Sequence, residues 1–131
     1  MTKETYQMLF RCAASQLALD ASVILDATFG RRQHRDEFSQ LLDSKRATYR
    51  FIEAQAPDEV LKRRLTQREG ATHEISDARL KNFETLTRSY EAPSEIQTDH
   101  YFQVATERPA TMTIEETLKG LVLAGFKPKA L

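Results

Sequence analysis

The sequence has little cysteine and no long apolar run, and each shortage excludes a class of protein. The single cysteine, Cys12, cannot form an internal disulfide in a chain of 131 residues, which favours a reducing compartment. No apolar run approaches the roughly 20 residues that a membrane span needs, and the first residues lack the apolar core of a signal peptide. We therefore expect a cytoplasmic protein that binds no membrane.

The sequence also has no excess of positive or negative charge. Nineteen basic side chains balance nineteen acidic ones, so the whole molecule does not attract nucleic acid. Aromatic side chains interleaved with basic ones, which stack on bases, are also missing. His73 and His100 have no second ligand at metal spacing, and no metal site is predicted. Any affinity for phosphate must therefore come from a local cluster.

Apolar spacing and turn signals predict an α/β fold in one domain spanning residues 1–131. Helical spacing occurs over residues 3–20, 31–44, 57–68, from 76 to the segment YEAPSE, and 113–124. Short strands are predicted over residues 23–25, 48–55 and 101–106. Strands that alternate with helices pair in parallel, so we expect three layers, with a short, mostly parallel sheet of about three strands and about five helices.

The segment VILDATFGRRQHR contains the first candidate site. Asp26 follows residues 23–25, a strand expected to be buried on both faces. Open α/β sheets bind ligands at the carboxyl ends of their strands, where Asp26 would lie. The alternative is an Asx turn that holds the corner of the chain together with Thr28.

The second candidate is a basic cluster of Arg31, Arg32 and Arg35 at the start of the second predicted helix. Each cation at a helix N-terminus interacts unfavourably with the helix dipole, at a cost of roughly 0.3–1 kcal/mol in stability. A bound anion or a nearby carboxylate would offset that cost. The alternative is a solvated helix face paired with Asp36 and Glu37.

A third cluster precedes the loop at Gly70. Arg63, Arg64 and Arg68 lie in the helix before it, and positions 64 and 68 share one helix face. The planar guanidinium group fits phosphate oxygens. Ion pairs with Glu59 or Glu69 are the alternative.

The order and spacing of three segments resemble those of small P-loop kinases. The segments are VILDATFGRRQHRDEF, APDEVLKRRLTQRE and ISDARLKNFETLTRSYEAP. The chain is most similar to the group of polynucleotide-kinase-like, zeta-toxin-like and gluconate-kinase-like ATPases, from about residue 6 to residue 123. In that group an aspartate ends a strand, an arginine-bearing helix follows, and arginines of a later mobile lid contact the transferred phosphoryl group.

The resemblance implies a role for each candidate residue. Asp26, Arg64 and Arg68 would be catalytic, with Asp26 positioning magnesium-bound water or accepting the proton of a substrate hydroxyl. Thr28, Arg31, Arg35 and Arg63 would bind the cofactor, ATP with Mg²⁺. A small phosphate-containing molecule would be the substrate.

The 131 residues do not contain the phosphate-binding loop of that family. Its motif is G-x-x-x-x-G-K-[ST], and the only glycine pair at this spacing is Gly120 and Gly125, in GLVLAGFK. Phe126 displaces the lysine by one place, and the segment is helical by pattern, so Gly125 is better explained as a helix cap. ATP and Mg²⁺ would then bind only if another chain supplied the loop.

The missing loop also affects the expected sheet. In the family, the strand before the loop lies centrally, between those corresponding to residues 23–25 and 48–55. Without it, either the remaining strands close up or a second chain fills the gap. We expect a homodimer, with or without exchanged elements.

Three functional interpretations follow. The chain is a shortened P-loop kinase-like domain, inactive alone, that binds phosphate or another anion. Alternatively, it is a non-catalytic interaction module or homodimeric remnant with no nucleotide role. In the third, the chain is a fragment of a longer gene, and an in-frame G-x-x-x-x-G-K-[ST] upstream of Met1 would show it.

Overall fold

The computed structural model describes residues 3–67 and 83–126. The chain divides into two compact units. Unit 1 consists of Met1–Tyr49 and Leu86–Glu95, and unit 2 of Arg50–Thr85 and Ile96–Leu131. Arg68 and the predicted helical residues 76–82 lie outside the described residues.

Two helices form most of unit 1. Helix α1 spans Lys3–Leu17 and helix α2 spans Arg32–Ser44. The buried residues of α1 are Tyr6, Phe10 and Ala13, spaced by four and three as on one helix face. A short helix, α4, covers residues 83–88, of which 86–88 belong to unit 1.

Aromatic rings fill the core of unit 1. The Tyr6 ring stacks on His34 with centroids 3.8 Å apart, and Phe10 stacks on Phe38 at 4.9 Å. Phe29, from the turn between the two helices, contacts both Tyr6 and Phe38 at 5.4 Å and 5.7 Å. Such offset and edge-on contacts stabilise a core beyond simple burial. The turn before α2 is therefore anchored by its own aromatic side chain.

Unit 2 is built on two parallel strands. Strand β1 spans Phe51–Gln55 and strand β2 spans Tyr101–Ala105, paired in the register that places Glu53 beside Gln103. Helix α3, Asp58–Gln67, follows β1, and helix α5, Ala110–Leu123, follows β2. A 3₁₀ turn, Thr98–His100, leads into β2.

The two faces of this sheet differ because side chains alternate along each strand. On one face, the Glu53 carboxylate accepts hydrogen bonds from the side chains of Gln55, Tyr101 and Gln103. On the other face, Val104 is buried and Phe102 packs against α5. A Cβ placed on Gly120 would lie 3.1 Å from the Phe102 ring. The glycine thus permits close approach of helix and sheet.

The predicted strand over residues 23–25 is wrong. These residues are not part of a sheet, and Ile24 is 94% exposed rather than buried on both faces. Instead of about three strands, the described residues contain two. A strand exists only with a hydrogen-bonded neighbour, and residues 23–25 have none among the described residues.

The fold class itself is confirmed, a mixed α/β structure with five helices and a short parallel sheet. The strands predicted over residues 48–55 and 101–106 are shorter but present. The helices end within a few residues of their expected bounds, and α5 begins three residues earlier than the pattern indicates. The prediction of one domain over residues 1–131 stays a prediction. In the described ranges, no helix is long and apolar enough to cross a membrane.

Candidate functional site

The turn before α2 is the most constrained part of unit 1. Phe29 has a φ of 41°, a left-handed conformation that is uncommon outside glycine. Its N–H donates to Tyr6 Oη at 2.9 Å, and its carbonyl accepts from Arg35 Nη1 at 2.8 Å. Tyr6 Oη also lies 3.0 Å from Thr28 Oγ1. These contacts hold both sides of the Phe29 residue and offset its backbone strain.

Arg35 is buried, with a side chain only 4% exposed, and binds Glu95 through two nitrogens. The Nε–Oε1 distance is 2.5 Å and the Nη2–Oε2 distance 3.1 Å, a bidentate pair. Arg35 Nη2 also donates to the Ala92 carbonyl at 3.4 Å. The Arg35 guanidinium hydrogen-bonded to Glu95 holds the pKa of that carboxyl below its ordinary value, against the opposing effect of burial. Arg35 therefore ties α2 to the segment around residue 95.

A carboxylate lies at the N-terminus of α2. The Arg32 backbone N–H donates to Glu91 Oε2 at 2.6 Å, and the Glu91 N–H donates to the Gly30 carbonyl at 2.8 Å. Arg32 Nε also pairs with Asp36 at 3.2 Å on the exposed face. The sequence predicts that a carboxylate or an ion pair offsets the cations at the start of α2. The structure has both, the Glu91 carboxylate and the pair of Arg32 with Asp36. This backbone donor at the helix start is thus taken by the protein itself.

Two other predicted site residues, both in the segment VILDATFGRRQHR, are accessible to solvent. Asp26 and Arg31 are both exposed, and Arg31 lies just before α2 with extended backbone angles. Neither side chain makes a hydrogen bond or ion pair with residues 3–67 or 83–126. Asp26 lies in a loop, so its expected position at the end of a buried strand is wrong. Both groups remain available to a ligand.

In unit 2, Arg64 joins α3 to the end of β2. Its Nη1 donates to Thr106 Oγ1 at 3.0 Å and its Nη2 to the Thr106 carbonyl. Thr106 in turn donates to the Gln55 carbonyl from both its N–H, at 2.7 Å, and its hydroxyl, at 2.9 Å. Glu59, the expected partner of Arg64, pairs instead with Lys62 at 3.6 Å. Arg64 therefore holds α3 at the carboxyl ends of both strands.

Arg63 is exposed and makes no ion pair within the described part of the chain. An open cavity of about 350 Å³ lies beside Arg64, at the edge of the sheet where α/β folds bind ligands. Arg108, which also lines it, pairs with Glu116 at 3.5 Å. Two guanidinium groups therefore line the cavity, and each already has a partner: Thr106 for Arg64 and Glu116 for Arg108. The remaining lining residues are Thr106, Ala110, Thr113 and Ile114.

The predicted site residues divide between the two units. Asp26, Thr28, Arg31 and Arg35 belong to unit 1, whereas Arg63 and Arg64 belong to unit 2. Within unit 1, Thr28 and Arg35 both lie at the Phe29 turn. Thr28 is linked to it through Tyr6, and Arg35 donates to the Phe29 carbonyl. Among the described residues, no group of three or more histidine, cysteine or carboxylate side chains is arranged to hold a metal ion.

Sequence reasoning missed the residues that hold these arginines. Glu91 and Glu95 are about 60 residues away from Arg32 and Arg35 along the chain, and no local spacing links them. The sequence pattern predicts Thr106 at the end of a strand but does not indicate its bond to Arg64. One signal was available for Glu91, because cations at the start of α2 call for a compensating acid.

Comparison with known families adds the class of the protein. A family model described as AAA domain matches residues 1–93, well over half of the chain, and the chain therefore belongs to this family. It is a P-loop NTPase-like kinase family, in agreement with the resemblance of the sequence to P-loop kinases. Searches of curated proteins and of solved structures found no match.

Proposed function

We propose that these 131 residues form a P-loop kinase-like domain that does not bind or hydrolyse ATP–Mg²⁺ by itself. Within this family we assign the chain to the group of polynucleotide-kinase-like, zeta-toxin-like and gluconate-kinase-like ATPases. In this proposal the chain retains the arginine-bearing helices of the fold. Nucleotide binding requires a phosphate-binding loop from outside these 131 residues.

One observation carries the proposal: Arg35 and Arg64, two of the arginines expected to bind phosphate, and the first amide of α2 already have partners in their own unit. Glu95 holds Arg35 and the Thr106 backbone and hydroxyl hold Arg64. Glu91 accepts the hydrogen bond of the first amide of α2. A phosphate would have to displace these groups, and leaving Glu95 buried without Arg35 would be costly.

The chemistry of phosphoryl transfer makes the loop decisive. Catalysis of this reaction consists almost entirely of positioning and of stabilising charge on the transferred group. A loop of backbone N–H groups with a lysine performs both tasks, and the printed sequence contains no G-x-x-x-x-G-K-[ST]. Arg35 and Arg64, being hydrogen-bonded internally, are poor substitutes.

Asp26, Thr28, Arg31 and Arg63 are the groups that would act if the loop were supplied. Asp26 and the two arginines are exposed. Asp26 would accept the proton of a substrate hydroxyl or orient magnesium-bound water, and the arginines would contact phosphate oxygens. Arg68, expected to share a helix face with Arg64, would contribute in the same way. We place this reaction, with its small phosphate-containing substrate, in the cytoplasm.

Isothermal titration of the purified chain with ATP–Mg²⁺ tests the proposal. We expect no saturable heat up to millimolar nucleotide, because the donors that would hold the β- and γ-phosphates are absent or engaged. Micromolar binding by the chain alone would contradict it.

A parallel titration with inorganic pyrophosphate separates an anion-binding domain from a pure interaction module. If the exposed cations still bind anions, pyrophosphate binds weakly and the Arg31→Ala and Arg63→Ala variants lose that binding. The matched control is Arg11→Ala, which removes an exposed cation of α1 remote in sequence from both clusters. Absence of pyrophosphate binding in the wild-type chain favours the alternative function, a module without a nucleotide role.

A further inference from the structure

We draw no further inference here: the strongest candidate, the apolar face of helix α5 formed by Ile114, Leu118 and Val122, is exposed in unit 2, but nothing in the described residues shows what covers it.

Discussion

At the scale of single residues, two arginines link separate segments of their own unit. Arg35 is 3% exposed and joins α2 to Glu95 and to the Phe29 carbonyl. Arg64 joins α3 to the end of β2. Burying a guanidinium group requires that nearly all of its donors find acceptors. These two side chains meet that requirement with carboxylate, hydroxyl and carbonyl oxygens.

The cost of breaking the Arg35–Glu95 pair is a direct prediction. Arg35→Met leaves the buried Glu95 carboxylate without its cation, and we expect a loss of about 3–5 kcal/mol in the free energy of unfolding. Arg32→Met is the matched control, because Arg32 pairs with Asp36 on the exposed face and should cost under about 1 kcal/mol. Urea denaturation at neutral pH measures both. Equal losses of unfolding free energy in the two variants would show that the Arg35–Glu95 pair does not stabilise the fold.

The same pair predicts a pH dependence. Arg35 lowers the pKa of Glu95 in the folded state, so the folded state favours the ionised carboxyl. That contribution to stability is complete above the pKa of the unfolded chain and is lost as pH falls through the lowered folded pKa. The free energy of unfolding should therefore decline from about pH 5 downward.

Glu95→Gln should flatten this decline, as measured by urea denaturation at a series of pH values. Glu115→Gln is the control: Lys119 lowers the pKa of Glu115 as well, but on the exposed surface of α5, where solvent screens the interaction. A Glu95→Gln variant with the wild-type pH profile would contradict the account.

At the scale of elements, the packing of α5 on β2 depends on Gly120. A methyl group there would lie 3.1 Å from the Phe102 ring, closer than ordinary contact. Glycine in a helix interior costs about 1 kcal/mol relative to alanine. The contact with Phe102 explains why glycine and not alanine occupies this helix position.

A double-mutant cycle tests that explanation. In a Phe102→Leu background, Gly120→Ala should raise the free energy of unfolding by up to about 1 kcal/mol, since the ring is gone. In the wild-type background the gain should vanish or become a loss. Urea denaturation at low protein concentration measures the coupling between the two sites. An equal gain in both backgrounds would show that the Phe102 ring does not limit the approach.

Local patterns predicted the helices and the strands of unit 2 well, because burial spacing and turn residues are local properties. Tyr6, Phe10 and Ala13 are buried as their spacing indicates. The segment 23–25 has equally strong β-forming residues yet is no strand, because pairing depends on a neighbour that the local sequence does not specify. The links from Arg35 to Glu95 and from Arg64 to Thr106 span 60 and 42 residues, beyond the reach of any spacing rule.

At the scale of the whole molecule, the chain belongs to a P-loop NTPase-like kinase family. Its 131 residues contain no G-x-x-x-x-G-K-[ST]. Among the arginines that the structure describes, some are bound by residues of their own unit and others are exposed. Arg35 and Arg64 belong to the first set, and Arg31 and Arg63 to the second. The central claim is that Arg35 and Arg64 are both hydrogen-bonded to residues of their own unit.

Side-chain NMR of arginine during a titration with ATP–Mg²⁺ tests this claim most directly. The Nε–Hε signals are assigned with Arg35→Lys and Arg64→Lys variants. We expect the Arg35 signal to exchange slowly with solvent, because Nε donates to the buried Glu95. We also expect neither signal to shift at millimolar nucleotide. Saturable shifts of the Arg35 and Arg64 signals at micromolar ATP–Mg²⁺ would contradict it.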